Sequence, residues 1–139
     1  MEQLFLRGTY RGRGHRTDQK AEGQYTAQYR ITDGLNGAKV HEVERIFMQP
    51  DGAVAYEERS SVTFEPGDRG SIRVSIRGHQ GTVAGAGYTF KDQCRYEIDV
   101  TADNHLEFTF HRDGRRHQGL GSATNKGNHT YWKESLEQI

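Results

Sequence analysis

Apolar and polar residues trade places at every second position along most of the chain. Tyr25, Ala27, Tyr29 and Ile31 alternate with Gln24, Thr26, Gln28 and Arg30, and Ile72, Val74 and Ile76 with Arg73, Ser75 and Arg77. Cys94, Tyr96, Ile98 and Val100 alternate with Arg95, Glu97 and Asp99, and Leu106, Phe108 and Phe110 continue the pattern. A period of two predicts strands with one buried and one wetted face. Between the runs lie DGLNG (33–37), PDG (50–52), PGDRG (66–70), GHQG (78–81), KDQ (91–93), TADN (101–104), RDG (112–114) and NKGN (125–128), all rich in turn formers. The result is about ten strands of roughly 6–11 residues whose short connections make sequence neighbours antiparallel. Left flat, such a sheet would expose one large apolar face; closed on itself, it hides that face and loses its edges. The expected fold is all-β: one antiparallel up-and-down barrel spanning residues 1–139. A two-sheet sandwich would need longer crossing loops.

Parity then assigns faces. Tyr10, Tyr25, Tyr29, Tyr56, Tyr88 and Tyr96 fall on the face assigned to the interior, with Phe108 and Phe110. Glu58 and Ser60 follow Tyr56 on the same face, and a carboxylate there needs a partner, for which Arg45 is a candidate. Residues 40–48 leave the choice open: His41, Val43, Arg45 and Phe47 form one face, and Glu42, Glu44, Ile46 and Met48 the other. TVAGAGYTF (82–90) has the glycine spacing of a phosphate loop but runs into strand and turn residues, without the helix that a phosphate loop needs. It reads as a strand thinned for coiling, or for room beside a ligand.

RGTYRGRG (7–14) resembles the first strand of the calycin superfamily, which includes lipocalins and fatty-acid-binding proteins and often opens with Gly-x-Trp. Gly8-Thr-Tyr10-Arg-Gly12-Arg-Gly14 is most similar to nitrobindin-type barrels, with Tyr10 where tryptophan is usual. Only HRTDQK separates the first two strands, where fatty-acid-binding proteins carry a helical lid. The resemblance implies an interior site for a small apolar or amphipathic molecule. It also implies a haem alternative, with His117 and His129 as the positional candidates for an axial ligand.

Composition narrows the classes. The chain carries 19 basic and 19 acidic side chains, so no global field draws nucleic acid or an anionic membrane. Arg7, Arg11, Arg13 and Arg16 make the start locally basic, but they read as outward-facing. The seven histidines show no i,i+2 or i,i+4 metal spacing and read as exposed polar residues, so no metal site is expected. The single cysteine, Cys94, precludes an internal disulfide and reads as an inert core residue. With neither a secretory signal nor a long apolar run, the expectation is a soluble cytoplasmic protein, monomer or homodimer.

No catalytic constellation stands out, and no catalytic residue is assigned. The expected function is binding of a small hydrophobic or amphipathic ligand inside the barrel, lined by Tyr25, Tyr29, Tyr56, Glu58, Tyr88, Phe108 and Phe110, with no cofactor required. The alternatives are a haem-binding nitrobindin-like protein, a small lyase or isomerase using an interior carboxylate with a tyrosine, and an interaction scaffold.

Overall fold

The computed structural model describes residues 1–18 and 22–139, so the end of the HRTDQK connection lies outside the described residues. Ten strands form: β1 (Gly8–Asp18), β2 (Glu22–Asp33), β3 (Lys39–Met48), β4 (Val54–Pro66), β5 (Ser71–Gly78), β6 (Gly81–Phe90), β7 (Gln93–Thr101), β8 (Asn104–Asp113), β9 (Arg116–Asn125) and β10 (Asn128–Gln138). Each pairs antiparallel with its sequence neighbours, and β1 also pairs with β10, from Tyr10 opposite Gln138 to Asp18 opposite Thr130. The sheet is therefore a closed up-and-down barrel, as the alternation predicts. Among the described residues, no helix is long and apolar enough to cross a membrane.

β6 settles what TVAGAGYTF does. A Cβ on Gly85 would lie 2.0 Å from the Glu97 carbonyl oxygen, and one on Gly87 1.9 Å from that of Arg95. The two glycines let β6 coil tightly onto β7, so they serve curvature rather than a ligand. They share the inner face with Val83, which turns Ala84, Ala86, Tyr88 and Phe90 outward. Tyr88 is 57% exposed on the outer wall, so it does not line the interior. The reason lies in the local pattern: on β6 the bulkier residues occupy the wet face, because the inner face is surrendered to glycine.

One end of the barrel is plugged by the N-terminal segment. Leu4 and Phe5 are fully buried, their amides donating to the Met1 carbonyl in a turn. The Phe5 ring sits 4.5 Å from His41, edge to face, and 4.7 Å from Phe64. Lys39, buried beside the plug, pairs with Asp33 and with Glu2 at 3.1 Å. Tyr10 donates to the Leu6 carbonyl at 2.8 Å and stacks on His117 at 4.4 Å. Arg112 Nη1 reaches both Tyr10 Oη (3.2 Å) and His117 Nε2 (3.1 Å). His41 and His117 are thus core residues, contrary to the expectation of exposed histidines; burial pushes His41 down to about 3 and His117 to about 4.

Candidate functional site

Above the plug, the middle of the barrel is built around one carboxylate. Glu134 of β10 is fully buried. Its Oε1 accepts from Tyr25 Oη at 2.8 Å and from Arg45 at 3.1 Å, and its Oε2 accepts from Tyr29 Oη. Tyr29 Oη in turn accepts from Arg45 Nη2 at 2.7 Å. Burial pushes both phenols well above their ordinary range, and the carboxylate beside them adds to the effect, so they remain protonated donors. Burial opposes the charge on Arg45, but Tyr29 and Glu134 outweigh it and hold the guanidinium protonated. The cluster is an ion pair whose carboxylate is saturated with donors, the condition under which a buried pair is tolerated.

This cluster decides how β3 lies. His41, Val43, Arg45 and Phe47 face inward, with Arg45 meeting Glu134 from across the barrel, and the strand bulges only at its end, between Phe47 and Met48. The partner of Glu58 is therefore not Arg45. It is Arg16, whose Nη1 and Nη2 donate to Glu58 Oε1 and Oε2 at 2.8 and 3.1 Å. Arg16 faces inward, not outward with Arg11 and Arg13, because the even positions of β1 are the inner ones.

Arg16 and Glu58 stand at the open mouth. The Arg16 guanidinium lies over Phe47 at 4.3 Å and near Trp132 at 5.7 Å, and its Nη1 also donates to Tyr56 Oη at 3.2 Å. Tyr56 stacks on Phe47 at 4.5 Å with the rings nearly parallel, yet remains half exposed at the rim. Trp132 lies where Gly121 of β9 has no side chain: a Cβ there would come within 2.2 Å of the indole. Ile76, Val83 and Leu106 complete the upper wall, partly buried against the core. Two donors here, Arg16 Nε and Trp132 Nε1, are buried without a partner.

The residues expected to line a site therefore divide by depth. Tyr25, Tyr29, Phe108 and Phe110 belong to the packed core, where rings run in contact from Phe5 through Phe110 (6.0 Å) and Phe108 (4.5 Å) to Trp132 (5.8 Å). Tyr56 and Glu58 stand at the rim, and Tyr88 is outside. Sequence reasoning missed Glu134, Trp132 and Arg16. The signal for the first two was present: Trp132, Glu134 and Leu136 alternate with Lys133, Ser135 and Glu137, the parity of an inner face.

The outer wall carries polar features of its own. Two grooves, of about 950 and 570 Å³, open here; the larger, beside the 49–52 turn, is lined by the outward Arg13, His15, Gln24 and Lys133 and also touches Tyr25 and Glu134. Glu97, His105 and Glu107 converge across β7 and β8 within 4.8 Å, a juxtaposition that spacing along one strand could not reveal. That cluster is internally neutralised: His105 contacts Asp99 at 2.6 Å and Glu107 at 3.3 Å, and Arg95 bridges Glu97 and Glu107. Cys94 is buried, its thiol pushed up to about 12 by burial, so the thiolate is suppressed.

No family model and no curated protein matches the chain. Among solved structures, the crystal structure of Rv2717c from M. tuberculosis is similar, with a TM-score of 0.71 at 14% identity, covering 96% of this chain and 92% of that one. At that identity the likeness is one of fold: a ten-stranded antiparallel barrel, with which a calycin-like assignment is compatible.

Proposed function

We propose that this chain is a calycin-like carrier or sensor that binds a small, partly apolar molecule in the open mouth of the barrel. The supporting observation is the contrast along the inner wall. Below Glu134 the large apolar side chains of the inner wall are buried and in contact, whereas at the mouth inward-facing Ile76, Val83, Leu106 and Trp132 remain only partly covered, beside Arg16, Tyr56 and Glu58. Apolar wall with a few convergent polar groups is the usual make-up of a ligand site. The Glu134 cluster is its rigid floor, and the bound molecule lies above the core rings rather than among them.

The histidines do not favour the haem alternative: among the described residues those facing inward are His41 and His117, both at the plugged end, and His129 faces out. Nor does Glu58 suit an acid or base role, being already held by Arg16 in a solvent-reached pair. The interaction-scaffold reading draws on a different observation, the exposed Tyr88 and Phe90 on the outer face of β6.

The test is a screen of small amphipathic compounds by native mass spectrometry and thermal shift, since a ligand of the folded state raises the midpoint. One-to-one adducts that are lost on Val83→Arg support the mouth. Adducts that survive Val83→Arg but are lost on Tyr88→Ser transfer the site to the outer wall, and a blank screen removes the binding reading.

A further inference from the structure

Resting on that reading, we infer that the mouth selects ligands bearing an oxyanion, with a carboxylate as the simplest case, and that Glu58 occupies the oxyanion's place in the free protein. The unpartnered atoms carry the argument. Arg16 Nε and Trp132 Nε1 are both donors, so the β1–β10 patch they share lacks acceptors; the orphan acceptor at this end, Asn104 Oδ1, lies apart on β8. They belong to one patch: Arg16 and Trp132 are register partners across β1 and β10, and the guanidinium carbon lies 5.7 Å from the indole. Two guanidinium groups face the mouth region, and Glu134, which is bound to Arg45 and two phenols, neutralises only one of them.

The second charge, on Arg16, is neutralised by Glu58, and the two ends of that pair are unequal. Arg16 is held by Phe47 below it and retains 22% side-chain exposure, whereas Glu58 is 40% exposed and is fixed by Arg16 alone among the hydrogen bonds and ion pairs found for it. Exposed pairs are weak and exchange readily. An incoming carboxylate replaces Glu58 on the Arg16 fork, bidentate and charge-assisted, and brings acceptor capacity to the orphan donors, while its apolar tail covers Ile76, Val83 and Leu106. A cationic ligand gains nothing from the Arg16 fork and would have to compete with it for Glu58, so the site discriminates by sign.

Trp132 is the only tryptophan in the chain, so its fluorescence reports on this wall directly. The experiment titrates the protein with decanoate, decanol and decylamine, three probes with matched tails. Decanoate is expected to shift Trp132 emission saturably and to bind about tenfold more tightly than decanol, with decylamine weakest. Glu58→Gln, which removes the resident carboxylate, should tighten decanoate severalfold and leave decanol unchanged. Arg16→Met should abolish the preference for decanoate while decanol still binds, and Arg16→Lys, which keeps the charge but not the fork, should restore part of it. Unchanged β-sheet circular dichroism confirms that each variant is folded. Equal binding of decanoate and decanol, or weaker decanoate binding to Glu58→Gln, overturns the oxyanion proposal and leaves the mouth as an apolar site. If none of the three binds while other amphipaths do, the selectivity is wrong; if nothing binds at all, the binding reading falls with it.

Discussion

The two ends of this barrel share a defect, and it has a different meaning at each. At the plugged end both ring nitrogens of His41 and Nδ1 of His117 are buried without partners; at the mouth the orphans include Arg16 Nε and Trp132 Nε1, which share one patch, and Asn104 Oδ1 on β8. His41 is walled in by Phe5, Phe64 and the other core rings, and it escapes the cost by staying neutral. Arg16 cannot do so, because a guanidinium is always charged. An unpaired polar atom sealed under aromatic rings is therefore a liability that acid can exploit. The same kind of atom buried just under the rim, on side chains that are only partly covered, is on the reading proposed above a valence for a ligand to fill.

The layer between the two ends should be the most sensitive to substitution. Glu134→Ala strands the Arg45 charge and removes the acceptor of two phenols, so it should cost about 3–5 kcal/mol, the usual price of removing one member of a buried pair. Urea unfolding measures it, and a loss under about 1 kcal/mol would mean that the cluster does not hold the middle of the barrel together.

Acid titration sharpens the plugged end. His41 and His117 have folded-state values pushed below the unfolded value near 6.5, so their neutral forms stabilise the fold. Their contribution is complete above about pH 6.5 and drains away as pH falls, by about 3 kcal/mol for His117 as pH approaches 4 and by about 5 kcal/mol for His41 as it approaches 3. Replacing His117 with Gln should flatten the dependence of the urea midpoint between pH 6.5 and 4 relative to the parent. The smallest effect belongs to the mouth: Glu58→Gln should change stability by less than about 1 kcal/mol, because the pair is partly exposed. A larger loss would make the pair structural and speak against Glu58 as a displaceable group.

The architecture was legible because it follows from a repeated local signal. Period-two runs punctuated by turn residues leave few alternatives to closure, and the turns lie where glycine, proline, Asp and Asn cluster. The facing of β3 was not legible, since both faces mix apolar and ionisable residues. What fixes it is Glu134, some ninety positions further along the chain, and no local pattern can announce a cross-barrel partner. Tyr88 misled because parity was anchored on the largest side chains, while β6 turns glycine inward so that it can press against β7. Arg16 misled through its neighbours: Arg11 and Arg13 are odd and outward, but Arg16 is even. Much of the interior was thus recognisable from Tyr10, Tyr25, Tyr29 and Tyr96, yet the polar residues that organise it were invisible until strands distant in sequence came together.

The seam between β1 and β10 has a consequence for how the molecule is made. Gly12 lies so close to the Ser135 carbonyl that a Cβ would approach within 1.8 Å, and Glu134 reaches across this junction to side chains of β2 and β3. The opening strand emerges from the ribosome long before its mate, and until β10 arrives it is a bare edge with an unmet carboxylate pocket beside it. Nascent chains stalled within the final hairpin should therefore be the species that chaperones hold and that aggregates recruit.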